Sequence, residues 1–236
     1  MLNTKLLRLA VLQAGAMEIR DVDDGAEPFL YASGNWGPGY ISVKGLVSHK
    51  PLFIQLNQVT AEKVAAAAPH VNFVAGNVTG GVIPGWEIAK ALDRHLGREV
   101  PYLYIRESRK KGGQKERITG LVNHLILTGH NGLVVEELVN FSETSCHSAL
   151  LLRELGYAVT HAACILFYNN PRALVALKEA HMEMVYLFTL GELLDTAEEA
   201  GTHPRELTQK YRDFLKDPLG WQAARGLKRV EKGGTI

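Results

Sequence analysis

Two adjacent acids, Glu136 and Glu137, close an apolar run in "GLVVEELVNFSETS", and a hydroxyl-bearing loop from Asn140 to Ser145 follows before a helix begins. Free backbone N–H groups at a helix N-terminus attract phosphate, and the hydroxyls of Ser142, Thr144 and Ser145 add donors for its oxygens. Two carboxylates just upstream can accept hydrogen bonds from sugar hydroxyls or sit near a magnesium-bound ligand. A plainer reading stands beside this one, since strand-to-helix turns commonly end in polar residues and Ser/Thr caps. A second group, Arg106, Arg109, Lys110, Lys111, Lys115 and Arg117 against Glu107 and Glu116, carries Gly112 and Gly113 at its middle. It reads either as a solvated charged face or as a lid that closes on an anion and expels water. The nine histidines show no ligand spacing, and Cys146, at a helix start without an evident base partner, reads as a small core or cap residue.

These groups must be delivered by regular elements. Apolar runs predict five parallel strands at about 72–76, 101–105, 132–136, 158–167 and 183–188, alternating with helices over "VTAEKVAAAAPH", "PGWEIAKALDRHLG", "ETSCHSALLLRELG" and "PRALVALKEAH". A further helix is expected over residues 3–14. A last one is expected in "RELTQKYRDFLKD", with Thr202, His203 and Pro204 as its cap and first turn. The fold class is therefore α/β, a parallel sheet with helices on both faces. Residues 1–58 form an N-terminal helix and small subdomain, 59–200 the core and 201–236 a helical extension. Ligands of such sheets bind beyond the carboxyl ends of the strands, here Gly76 to Gly81, Arg106 to Arg117 and Glu136 to Ser145.

Composition narrows the setting. The chain has 236 residues, 46% hydrophobic and 22% charged, enough for one sizeable core and too apolar for disorder. No run approaches the roughly 18 apolar residues of a membrane span. Two cysteines make no disulfide framework, so a reducing cytoplasm is expected. A net charge of +1 gives no reason to expect nucleic acid.

Four apolar residues, an acidic pair, two more apolar residues and a Ser/Thr loop resemble the phosphoribosyl-pyrophosphate signature of type I phosphoribosyltransferases. In that family the acidic pair holds the ribose hydroxyls and a Thr-Thr-Gly-x-Ser loop cradles the 5-phosphate. Here Asn140, Phe141 and Ser142 stand for Thr-Thr-Gly, Glu143 for the variable position, Thr144 for Ser, and Glu137 for the usual Asp. "FLYASG" and "PGYISVKG" are similar to the N-terminal stretch of orotate phosphoribosyltransferases, with Ser33, Gly34 and Tyr40 fitting and Ala32 in place of a lysine. "VAGNVTGGVIPGWEIAKAL" resembles the family's glycine turn, in which Gly80 and Gly81 let backbone approach pyrophosphate. "YLYIRESRKKGGQKERITG" resembles its basic loop. Arg106 and Lys110 fit there, whereas Glu107 and Gly112 replace a lysine and a histidine.

The resemblance implies an N-terminal hood subdomain and Mg2+-dependent transfer of ribose 5-phosphate from phosphoribosyl pyrophosphate to a pyrimidine base, orotate, in a homodimer. Glu137 would do the acid–base work, and Arg106 and Lys110 would stabilise the leaving pyrophosphate. Glu136, Asn140, Ser142, Glu143, Thr144, Ser145, Gly80, Gly81, Ser33, Gly34 and Tyr40 would bind substrate, with no protein metal site. The substitutions leave a second implication open, a non-catalytic relative that binds a nucleotide or sugar phosphate as a sensor.

Overall fold

Asn3 caps the first helix by accepting the Lys5 N–H, and α1 (Thr4–Gln13) buries Leu7, Val11 and Leu12. The structure, a computed structural model, describes residues 3–106, 117–121 and 124–231. Two short antiparallel pairs follow, the outer one of β1 (Met17–Ile19) and β4 (Gly39–Ile41), the inner one of β2 (Phe29–Leu30) and β3 (Trp36–Gly37). A 3-10 turn at Lys44–Ser48 leads into α2 (Lys50–Ala67), whose first turn holds Pro51, a residue that needs no N–H partner there. This helix begins well before the expected "VTAEKV" segment and runs through the division drawn between residues 58 and 59.

The core alternates as the apolar runs require. β5 (Phe73–Asn77) is buried throughout and passes through the Gly80–Gly81 turn into α3 (Val82–Leu96). Gly97 ends that helix in the left-handed conformation, φ 64°, which costs glycine nothing. β6 (Tyr102–Ile105) pairs with a short antiparallel β7 (Ile118–Thr119). β8 (Asn131–Val139), α4 (Glu143–Glu154), β9 (Ala158–Phe167), α5 (Pro171–Glu179) and β10 (Glu183–Thr189) complete the alternation. The sheet order is β10-β9-β8-β5-β6-β7, parallel except for β7. The five parallel strands stand where their apolar runs predict. β7 is the addition, a two-residue pairing inside a polar segment with no strand signal of its own.

One face of the sheet packs an apolar cluster that includes Val64, Ile88 and Leu92 of α2 and α3, and the other packs Ala149, Leu152, Ala173 and Leu177 of α4 and α5. The tail departs from expectation in two ways. α6 (Leu190–Glu199) starts directly after β10 on a capping box, in which Thr189 and Glu192 satisfy each other's backbone N–H. α7 (Arg205–Lys216) has Pro204 at its N-cap and no side-chain cap, because the Thr202 hydroxyl donates instead to the Ala197 carbonyl. α8 (Pro218–Ala224) is capped by Asp217, which accepts the Gly220 N–H.

The C-terminal helices pack against the N-terminal segment. Lys210 donates to both oxygens of Asp21 at 2.8 and 2.7 Å, and Arg225 reaches Asp23. Tyr211 is fully buried with its ring over Gly39, and Phe214 faces Gly37, in each case where a Cβ would lie. Gly39→Ala therefore forces an aromatic core to move. It is expected to lower stability by about 1–3 kcal/mol in urea denaturation, with an unchanged m-value.

Candidate functional site

The strand order reverses at β5. The chain moves from β5 outward to β6 and then crosses back to β8 on the other side, so the carboxyl ends of β5 and β8 flank a topological switch point. Residues from both strands meet there. Glu136 and Glu137 lie within β8 rather than beyond it, and the pleat sends successive side chains to opposite faces. Glu136 accepts from Asn77 Nδ2 at 2.7 Å on the α4 side. The Glu137 carboxylate lies against the Cα of Gly80, where any Cβ would collide with it. Gly81 is equally confined, since a Cβ there would strike the Val135 carbonyl. Burial pushes the Glu137 carboxyl up from the ordinary carboxylate range, and its own backbone N–H and the charge of Lys44 offset this only in part. The resulting carboxylate sits beside a glycine turn and is reluctant to ionise.

The loop after β8 is held open by its neighbours. Asn170, which also caps α5 by accepting the Ala173 N–H, donates to the Asn140 carbonyl and side chain at 2.7 and 2.8 Å. Phe141 packs outward under Arg172 of α5, whose guanidinium carbon is 4.6 Å from the ring centroid. Glu143 is exposed and pairs with the same arginine at 3.6 Å. Ser142 occupies the left-handed region, φ 64°, at the N-cap of α4. That conformation costs a non-glycine residue roughly 1–2 kcal/mol. Its hydroxyl is buried and has no hydrogen-bond partner among the described residues. Ser145 is also buried, while Thr144 is exposed at the rim of a cleft.

That cleft runs between α4 and the β6–β7 neck. Thr144 and His147 of α4 face Asn77, Arg106 and Arg117 across it. The arginines are fixed by a backbone bond, Arg106 N–H to the Arg117 carbonyl at 2.9 Å. Arg106 also donates to the Thr119 hydroxyl at 3.0 Å, and its hydrogen bond to Tyr104 holds that phenol below its ordinary pKa. The neck thus presents two guanidiniums and an imidazole at the edge of the site. Lys110, Glu107 and Gly112 lie outside the described residues, as does the expected lid over 107–116.

The hood residues are engaged elsewhere. The Ser33 carbonyl accepts from Arg229 at 3.1 Å, and the Gly34 carbonyl accepts the Val230 N–H at 2.9 Å. Gly34 has φ 83° and faces the Val230 carbonyl so closely that no side chain fits. Trp36 donates its backbone N–H to Gln222 at 2.8 Å and its indole N–H to the Lys228 carbonyl at 2.9 Å. Tyr40 stacks on Phe29, with centroids 5.6 Å apart. The structure therefore gathers Glu136, Glu137, Gly80, Gly81, Arg106 and the 140–145 loop at the sheet edge. Ser33 and Gly34 are bound instead to the C-terminal segment.

No family profile matches the chain. Among curated proteins it is 26% identical over 196 residues to an orotate phosphoribosyltransferase of Coxiella burnetii, covering 83% of this chain and 89% of that one. It is 28% identical over 197 residues to that of Streptococcus sanguinis, covering 84% and 90%. Among solved structures, orotate phosphoribosyltransferase from Aeropyrum pernix superposes with a TM-score of 0.65 at 20% identity, over 84% of this chain and 99% of that one. The UMP synthase of Leishmania donovani gives 0.67 at 20% identity, covering 90% of this chain and 42% of that one. The fold is that of a type I phosphoribosyltransferase. Its sequence is most like the orotate branch.

Within that fold, four residues of the site carried no sequence signal strong enough to single them out. Asn77 reads as the end of a buried strand, Lys44 as part of a short hood segment and Asn170 as an ordinary helix cap. His147 reads as one scattered histidine among nine. Only Asn77, a polar residue ending an apolar run just before a glycine turn, offered a hint.

The raised pKa of Glu137 gives a signed expectation. The folded state binds its proton more tightly than the unfolded state, so stability falls as pH rises from the ordinary carboxylate value through the raised one. Glu137→Gln removes that loss. Its melting temperature should exceed the parent's by a few degrees at about pH 8 and match it below the ordinary carboxylate range.

Proposed function

We propose that this chain transfers ribose 5-phosphate from phosphoribosyl pyrophosphate to a pyrimidine base, orotate, as a Mg2+-dependent cytoplasmic homodimer. The carrying observation is the buried Ser142 hydroxyl, without a hydrogen-bond partner among the described residues, at the N-cap of α4 in the loop that follows the strand of Glu136 and Glu137. A buried hydroxyl without a partner is costly, and a phosphate on the α4 N-terminus would supply one. The relatives named orotate phosphoribosyltransferase support a pentosyltransferase. A Mycobacterium tuberculosis orotate phosphoribosyltransferase solved with phosphoribosyl pyrophosphate, TM-score 0.54 at 16% identity over 80% of this chain and 90% of that one, supports the donor.

The chemistry follows from the residues. Nitrogen of the base attacks the anomeric carbon as the bond to pyrophosphate breaks, so positive charge develops on the ribose and negative charge on the leaving oxygen. Glu136 holds ribose hydroxyls, and Gly80 and Gly81 present backbone to the pyrophosphate. Arg106 and Lys110 bring positive charge to it. Glu137, its carboxyl raised above the ordinary carboxylate range by burial, takes or returns the proton of the reacting groups. Hard carboxylate oxygens suit magnesium. Glu136 is the acid whose hard oxygens could lie near magnesium, which when bound would supply positive charge to the diphosphate.

The longer Glu137 displaces its carboxylate by about an ångström relative to the family's Asp, and misplacement of that size costs about 100-fold in rate. Turnover on orotate should accordingly be slow, and Glu137→Asp with Ser142→Gly should raise it by about 10–100-fold. Calorimetric titration with phosphoribosyl pyrophosphate and magnesium, then pyrophosphate release with orotate, uracil and purines, decides the matter. Binding without release on any base would establish the second reading, a non-catalytic sensor. That reading draws support from Ala32 and from a hood loop whose carbonyls are already engaged.

A further inference from the structure

We propose that Asn77 and Ser148 are positioning residues, a relay that fixes the carboxylate of Glu136 for the ribose hydroxyls. This rests on the phosphoribosyl reading of the site and adds two residues to it. Asn77 ends β5 with 2% exposure, and Ser148 lies one turn into α4 with 6%. The Ser148 hydroxyl donates to Asn77 Oδ1 at 2.7 Å, and Asn77 Nδ2 donates to Glu136 Oε1 at 2.7 Å. Three elements that flank the switch point, α4, β5 and β8, are joined by these two bonds. The polarity is enforced from one end. That end is the acid: an ionised Glu136 only accepts, so the Asn77 NH2 must face it and the amide oxygen is left to accept the Ser148 hydroxyl. The Asn77 carbonyl also accepts the Gly81 N–H at 2.8 Å, so one residue sets both the acid and the glycine turn.

Burial makes the relay matter. A half-buried carboxylate at a strand end is oriented by the donors around it, and a misdirected amide would place oxygen against oxygen. Cys164 on β9 lies close enough to feel the charges of Glu136 and Glu137, and Arg106, Arg117 and His147 line the cleft beside Asn77 and Ser148. None is altered by a change at Asn77 or Ser148.

The test is Asn77→Asp in the full chain. It sets a second carboxylate against Glu136, so one of the pair must take up a proton. With phosphoribosyl pyrophosphate and magnesium as the probe, calorimetric Kd and steady-state KM should rise on the order of 10-fold at about pH 8 and recover toward the parent at about pH 6, with kcat little changed. A loss equal at both pH values, or no loss, overturns the proposal. Ser148→Ala should weaken binding and Ser148→Thr restore it, and this pair carries the test should Asn77→Asp not fold. If the unaltered protein does not bind the probe, the phosphoribosyl reading fails. The relay is then judged by thermal stability. Asn77→Asp should be less stable than the parent at about pH 8, with the gap closing as pH falls, and a pH-independent gap refutes it.

Discussion

The Glu137 carboxylate resting on the Cα of Gly80 is the contact on which the rest of the site depends. It requires β5 and β8 to be neighbours, and the order β10-β9-β8-β5-β6-β7 makes them so. It requires a glycine at the turn, because no side chain fits. It also requires a carboxyl to be partly withdrawn from water, which the fold tolerates at the cost of raising it above its usual range. A less crowded arrangement would be more stable and would leave the acid out of reach of the turn.

Around this contact, each neighbouring segment is fixed by a different kind of force. The 140–145 loop is clamped by the Asn170 side chain rather than by its own sequence, which explains how Ser142 holds a left-handed backbone that usually falls to glycine. The β6–β7 neck is set by strand pairing, and the backbone bond between Arg106 and Arg117 keeps both arginines at its mouth. The hood is set by aromatic packing from α7 and α8 together with the backbone bonds of Lys228 to Val230. Ion pairs such as Lys210–Asp21 lie nearer the surface and are worth little by comparison.

Legibility in the sequence followed the range of the interaction. The parallel strands were readable because a strand covered on both faces must be apolar along its whole length, as "HAACILF" of β9 is. α6 was marked by Thr189 and Glu192 at capping-box spacing, but the apolar strand running into it hid the boundary. β7 consists of two residues whose pairing depends wholly on β6. The acidic pair announced itself, yet its division between opposite faces and the burial of Glu137 arise from β5, some sixty positions away. Asn77 is informative only once Glu136 and Ser148 stand beside it. The hold on Ser33 and Gly34 was invisible for the same reason, since nothing local distinguishes a hood loop that reads a ligand from one bound to distant backbone.

That last feature has a bearing on how the protein is made. Trp36 and its partner Gln222 are 186 positions apart. A ribosome adding about 5–20 residues per second takes roughly 10–40 s to cover that distance. During this interval the parallel sheet can assemble while the hood's aromatic floor has not yet been translated. Gly39 then lacks the Tyr211 ring that covers it in the folded protein. The nascent chain thus passes through a stage in which the sheet edge carrying Glu136 and Glu137 exists before the hood beside it is closed, an order of assembly dictated by where the hood's partners lie along the message.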